Sequence, residues 1–86
     1  MEPLPGHISA RRRRAARKMQ EWHEIMRSRI GTSGFTPIET VTAPFPGQLP
    51  TASNHAMLMG GSFLAFLAKR GVALEISATR GVSLRS

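Results

Sequence analysis

The sequence predicts a mainly α-helical chain, with two helices over about residues 8–30 and 53–69 joined by a Pro/Gly-rich extended linker. Three observations lead there. Apolar residues recur at helical spacing before residue 31, prolines and glycines crowd residues 31–52, and the longest apolar run, residues 56–68, follows them. An alternating tail permits a short C-terminal β-hairpin. At 86 residues the chain can hold one small domain, and a chain of that size buries only about 60% of its unfolded surface. It is therefore expected to be partly disordered when free.

In the first helix, Ala15, Met19, Trp22, Met26 and Ile30 form one apolar stripe at the 3.6-residue period. Ser9 is the expected N-cap, its hydroxyl accepting from a free amide of the first turn. Gly31 and Gly34 supply the stop. Residues 31–52 then change character, with four prolines, three glycines, six Ser or Thr, no basic residue and one acid. Proline fixes φ and removes a donor, so neither helix nor central strand is expected there. The stretch reads as a disordered spacer or as an extended linker with Phe35, Ile38, Val41 and Phe45 as docking anchors.

The second helix is expected to open at Ser53 or Asn54 and close at Gly71. Its apolar residues wrap around more than one face, which calls for burial in a partner, an oligomer, a lipid interface or a small core. Met57, Met59, Phe63, Phe66 and Leu67 are the candidate partner- or membrane-binding residues. Gly60 and Gly61 weaken the helix by about 1 kcal/mol each against Ala. The 13-residue run is too short to span a bilayer, which takes about 20 apolar residues. In the tail, Val72, Leu74 and Ile76 alternate before a turn, and Val82 and Leu84 after it. The connection lacks an Asn-Gly or Asp-Gly pair, so an irregular tail stays open beside the hairpin.

Composition excludes several kinds of chemistry. The chain has no cysteine, hence no disulfide scaffold or thiolate site, and it also lacks aspartate. His7, His23 and His55 show no paired ligand spacing, so no metal or other cofactor is expected. Met59-Gly60-Gly61-Ser62 is neither a nucleophile elbow nor a phosphate loop. Glu21 and Glu24 read as helix-surface charges among arginines. The chain is not expected to be an enzyme. The opening residues lack the basic and apolar regions of a secretory signal, and Glu2, Glu21 and Glu24 argue against a mitochondrial presequence. An intracellular location, cytoplasm or nucleus, is the expectation.

What remains is charge. The net charge is +7, and residues 1–30 carry eight basic and three acidic residues. Six of the nine residues from Ala10 to Lys18 are Arg or Lys. Arginine outnumbers lysine ten to two, and its planar fork matches phosphates and guanine edges better than an ammonium does. Arg11, Arg12, Arg13, Arg14, Arg17 and Lys18 are thus the candidate nucleic-acid contacts, with Trp22 placed to stack on a base. Small Ala15 and Ala16 would let the backbone approach the sugar-phosphate closely.

Residues 10–22 resemble the arginine-rich RNA-binding motif of the lambdoid phage antitermination N proteins. Matched without gaps from the tryptophan, Arg11, Arg12, Arg14, Ala16, Lys18 and Trp22 coincide in type with that motif, Arg13 and Arg17 replace acids, and Ala10 and Ala15 replace arginines. The resemblance implies a protein that binds a nascent RNA hairpin and, through its remaining length, a transcription elongation complex. The uncharged linker and apolar second helix differ from the polar arms of that family. The leading expectation is a small basic RNA-binding regulatory protein of a phage or virus, with a protein partner or oligomer contact through 53–69. Two alternatives stand beside it. One is a structural subunit of a large assembly such as a ribosome or respiratory complex. The other is an interfacial membrane protein with Met19, Trp22, Met26 and Ile30 in lipid.

Overall fold

The computed structural model describes residues 5–47 and 50–85, with side chains from residue 10 onward. Its elements are α1 (Pro5–Arg29), α2 (Ile38–Val41), α3 (Thr51–Met59), α4 (Gly61–Ala68), β1 (Ala73–Ser77) and β2 (Gly81–Arg85). The mainly helical class and the C-terminal hairpin match the expectation. The details of three segments do not.

Helix α1 begins at Pro5 and so contains Ser9, which is not its cap. Proline suits a first turn, where its missing N–H would lack an intrahelical partner in any case. The apolar stripe is buried progressively along the helix. Ala15 is exposed, Met19 and Trp22 are half-buried, and Met26 and Ile30 are in the core.

The linker is neither extended nor a spacer, and against the expectation of no helix there Ile38–Val41 forms the single turn α2, set off by Pro37. Residues 31–47 fold back over the core, burying Val41, Thr42 and Phe45, with Ile38 packed against them. A proline-rich segment is short of N–H donors, yet its buried carbonyls still require partners. Side chains supply them. The Arg29 guanidinium donates to the carbonyls of Val41, Ala43 and Pro44, and the fully buried Asn54 amide donates to those of Thr42 and Ala43 at 3.2 and 3.0 Å. Thr36 adds a backbone bridge to Val82, each N–H donating to the other's carbonyl at 2.7 Å.

The second helix is two helices. Gly60, with ψ at 155°, leaves the helical region and serves as C-cap of α3 and N-cap of α4. Helix α3 starts at Thr51 after Pro50, ahead of the expected opening at Ser53 or Asn54, and the backbone N–H groups of both donate to the Pro50 carbonyl. The break lets α3 and α4 wrap their apolar residues around the end of α1. Leu58, Phe63, Phe66 and Leu67 therefore join Met26, Ile30, Val41, Phe45 and Val82 in one core. This corrects the expectation that Phe63, Phe66 and Leu67 face a partner or membrane, because the chain's own first helix and hairpin cover them. Met57 is half-buried, and Met59 and Leu64 remain 49% and 44% exposed. No helix among the described residues is long and apolar enough to cross a membrane.

Strands β1 and β2 pair antiparallel, with Leu74 opposite Leu84 and Ile76 opposite Val82. The turn does without Asn-Gly because the Ser77 hydroxyl accepts the Arg80 N–H at 3.2 Å, a local side-chain substitute for a backbone turn bond. Glu75 and Arg85 form an ion pair across the hairpin. Gly81 opens β2 at φ +107°, and a Cβ there would lie 1.9 Å from the Thr36 carbonyl oxygen. Replacing Gly81 by Ala should therefore destabilise the fold by about 3 kcal/mol or more, through backbone strain and the lost Thr36 bridge. Gly61→Ala, where a Cβ meets nothing within 4 Å, should be neutral or stabilising. Urea midpoints of the two variants check this, and equal midpoints would contradict the assigned role of Gly81.

Candidate nucleic-acid interface

The candidate contacts sit on an exposed stretch of α1 that precedes its buried part. Beyond residue 19, α1 is held by His23, Met26 and Ile30 in the core. Before it, every residue from Arg11 to Lys18 is exposed, the two alanines included. The radius of gyration is 15.1 Å, against about 12 Å for a compact chain of this length. The excess reflects this arm, since 25 helical residues span about 37 Å, a large part of the 54 Å long axis.

The basic residues divide by helical spacing. Arg11, Arg14 and Lys18 follow one another at i, i+3 and i+7, and Trp22 continues the row one turn later. Arg13 and Arg17 lie on another face, and Arg12 sits one turn before Ala16. Like charges at Arg11/Arg14, Arg13/Arg17, Arg14/Arg17 and Arg14/Lys18 are helix neighbours, each pair opposing the helix by roughly 0.2–0.5 kcal/mol. The segment is thus a helix under its own repulsion, which an anionic ligand would relieve.

The row from Arg11 runs into a stack of two aromatic rings flanked by two cations. Lys18 Nζ lies 5.7 Å from the Trp22 ring centroid, Trp22 stacks on Phe45 at 6.1 Å and 19°, and the Arg29 guanidinium lies 5.2 Å from the Phe45 centroid. Such cation–π contacts contribute about 0.5–1 kcal/mol each at exposed sites. The structure brings Trp22 to the base of the arm, as the helical spacing implies, but half-buried against the linker. Phe45 and Arg29 complete this stack. Arg29 was legible as lying seven residues past Trp22 on the same face, whereas nothing local marked Phe45 as the partner.

On the other flank of α1, His23 is buried between Phe63 and Phe66, with ring centroids at 5.5 and 5.3 Å. Its Nε2 lies 3.3 Å from the Ser62 hydroxyl. Glu24 pairs with Arg70 at 3.2 Å, joining α1 to the end of α4. Glu21 is exposed. Among the described residues no three His, Cys, Asp or Glu side chains come together as a metal cluster, and His7 lies outside the described side chains.

No protein-family model matches the chain, and neither the curated proteins nor the solved structures provide a significant match.

Burial lowers the His23 pKa from its ordinary 6.5. The unfolded chain then binds the proton more readily than the folded one, so stability rises with pH through this range. The contribution of neutral His23 should be fully present above pH about 6.5 and lost progressively as pH falls toward the lowered value. Urea unfolding at a series of pH values should show that decline in the wild type and a flatter profile in His23→Leu. Parallel profiles would exclude His23 as its source.

Proposed function

We propose that the chain is a small RNA-binding regulatory protein whose arm, residues 10–18 of α1, enters the groove of an RNA hairpin. The observation that carries this reading is the exposure of every residue from Arg11 to Lys18 on a segment holding six basic side chains. A-form RNA has a deep, narrow major groove that a helix enters only where a bulge or loop widens it, and there it meets phosphates on both walls. Basic residues on several faces, with small Ala15 and Ala16 between them, suit that surrounding. The resemblance of residues 10–22 to the phage antitermination motif supports a hairpin as the target and a phage or virus as the source.

The interfacial-membrane reading fits the fold less well. A helix lying in lipid needs an apolar face beside its charges. Along residues 11–18 that face offers only Ala15 and Ala16, while Met26 and Ile30 are turned into the core. The reading as a subunit of a large assembly rested on apolar residues without a core of their own, and Phe63, Phe66 and Leu67 have one.

The test is electrostatic. Binding to a stem–loop RNA should weaken steeply with salt, and Gln at Arg11, Arg14 and Lys18 together should reduce the log–log salt slope by about 2–3. The circular dichroism of the body should persist, since these side chains touch no core residue except through the Lys18–Trp22 contact. An unchanged slope and affinity would overturn the assignment, as would preferential flotation of the protein with anionic vesicles over RNA binding.

A further inference from the structure

Where the arm leaves the body, a groove of about 380 Å³ opens between α1 and α4. Ala16 and Met19 form one wall, Ala65 and Phe66 the other, and Lys69 and Arg70 stand at the end of α4. That volume is in the ~300–1,000 Å³ range of small-ligand sites, and the composition has their usual form, apolar walls with a few polar groups. The polar groups are the Ser62 hydroxyl, hydrogen-bonded to His23, and the exposed amide of Gln20.

Arg70, which lines the groove, is held in place by its neighbours. Its guanidinium lies 3.8 Å from the Phe66 ring centroid, donates to the Phe66 carbonyl at 3.4 Å and pairs with Glu24 at 3.2 Å, yet the side chain remains 41% exposed. Three contacts thus fix a planar, cationic group that is still open to solvent. Unstacked RNA bases stack on guanidinium planes as well as on aromatic rings, and a platform already fixed loses little freedom on binding. Lys69 is exposed beside it, and Arg12 lies one turn before the lining residue Ala16 on α1. No acid is among the described residues that line the groove, and Glu24, which pairs with Arg70, already has its cation.

The geometry points to a nucleobase site: the groove between α1 and α4 receives one unstacked base from the loop of the RNA that the arm holds. The base stacks on the Arg70 guanidinium, Gln20 and Ser62 meet its polar edge, and Lys69 and Arg12 meet the flanking phosphates. This inference rests on the RNA-binding reading and adds to it which part of the RNA the body contacts. The arm meets the stem through its basic side chains, and the groove selects for a base that can leave the stack.

The experiment uses the full chain and a stem–loop RNA with an all-purine loop, each loop position in turn replaced by 2-aminopurine. One position should change its fluorescence sharply on binding. Ala65→Leu fills the groove on an exposed helix face and should abolish that change and weaken binding about tenfold, with an unaltered salt slope. Arg70→Lys keeps the charge but loses the plane, and should give the same loss of signal. Circular dichroism of each variant establishes that the fold is retained. Wild-type affinity and an undiminished fluorescence change in both variants would overturn the groove while leaving the arm in place. Absence of any RNA binding at low salt would overturn both. If Ala65→Leu dissolved a dimer and left RNA binding unchanged, the groove would belong to a second copy and the nucleobase site would be wrong.

Discussion

The Arg29 guanidinium ties the last turn of α1 to the carbonyls of Val41, Ala43 and Pro44, and the packing around the arm depends on that tie. Without it, a segment with three prolines between residues 37 and 46 would have buried carbonyls and few donors to meet them. With it, and with Asn54 donating from α3, the segment lies flat enough to bury Val41 and Phe45. Phe45 then supports Trp22, and Trp22 lies beneath Lys18. A charge at the end of the helix thus reaches the base of the arm through one fold of the linker. A guanidinium suits this task because it spreads several donors over a rigid plane, whereas an ammonium concentrates its three at one point.

The two halves of α1 obey different physics. The second half is stable because Met26 and Ile30 are buried. Residues 11–18 are exposed and carry charges that repel one another, so their helicity is borrowed from the anchored half by propagation, which needs no new nucleus. A rigid body that holds a charged helix free in solvent lowers the ordering cost that a disordered arginine-rich peptide meets on binding RNA. The core therefore carries the arm, which it meets through the Lys18–Trp22 contact.

The parts of this arrangement that depend on neighbouring residues could be read from the sequence. The stripe Ala15–Ile30 marked α1, the alternation of Leu74 and Ile76 with Val82 and Leu84 marked the hairpin, and the basic cluster announced the arm. The linker could not be read, because its donors, Arg29 and Asn54, lie 11 to 15 residues from the carbonyls they hold. Composition marked residues 31–47 as unsuited to helix or central strand, from which the single turn of α2 departs, and it carried no information on whether side chains elsewhere would satisfy their carbonyls. Asn54 was visible only as a helix-opening residue, and its amide is used across the fold instead. Similarly, Gly60 and Gly61 were legible as weak points, while the turn of direction at Gly60 that encloses Phe63 and Phe66 depends on α1 being there to wrap.

The bridge between Thr36 and Val82 joins the segment just after the first helix to the last strand. Synthesis runs from the amino end, so the arm and its tether leave the ribosome well before the strand that closes the core. Until residue 82 emerges, Gly81 cannot settle against Thr36, and the body has no lid over Val41. The growing chain consequently passes through a stage in which a cationic helix is already outside the exit tunnel while its support is still unfinished. For a molecule of this sign, emerging among the anionic strands of ribosome and message, order of appearance sets its cations among polyanions before its body is complete.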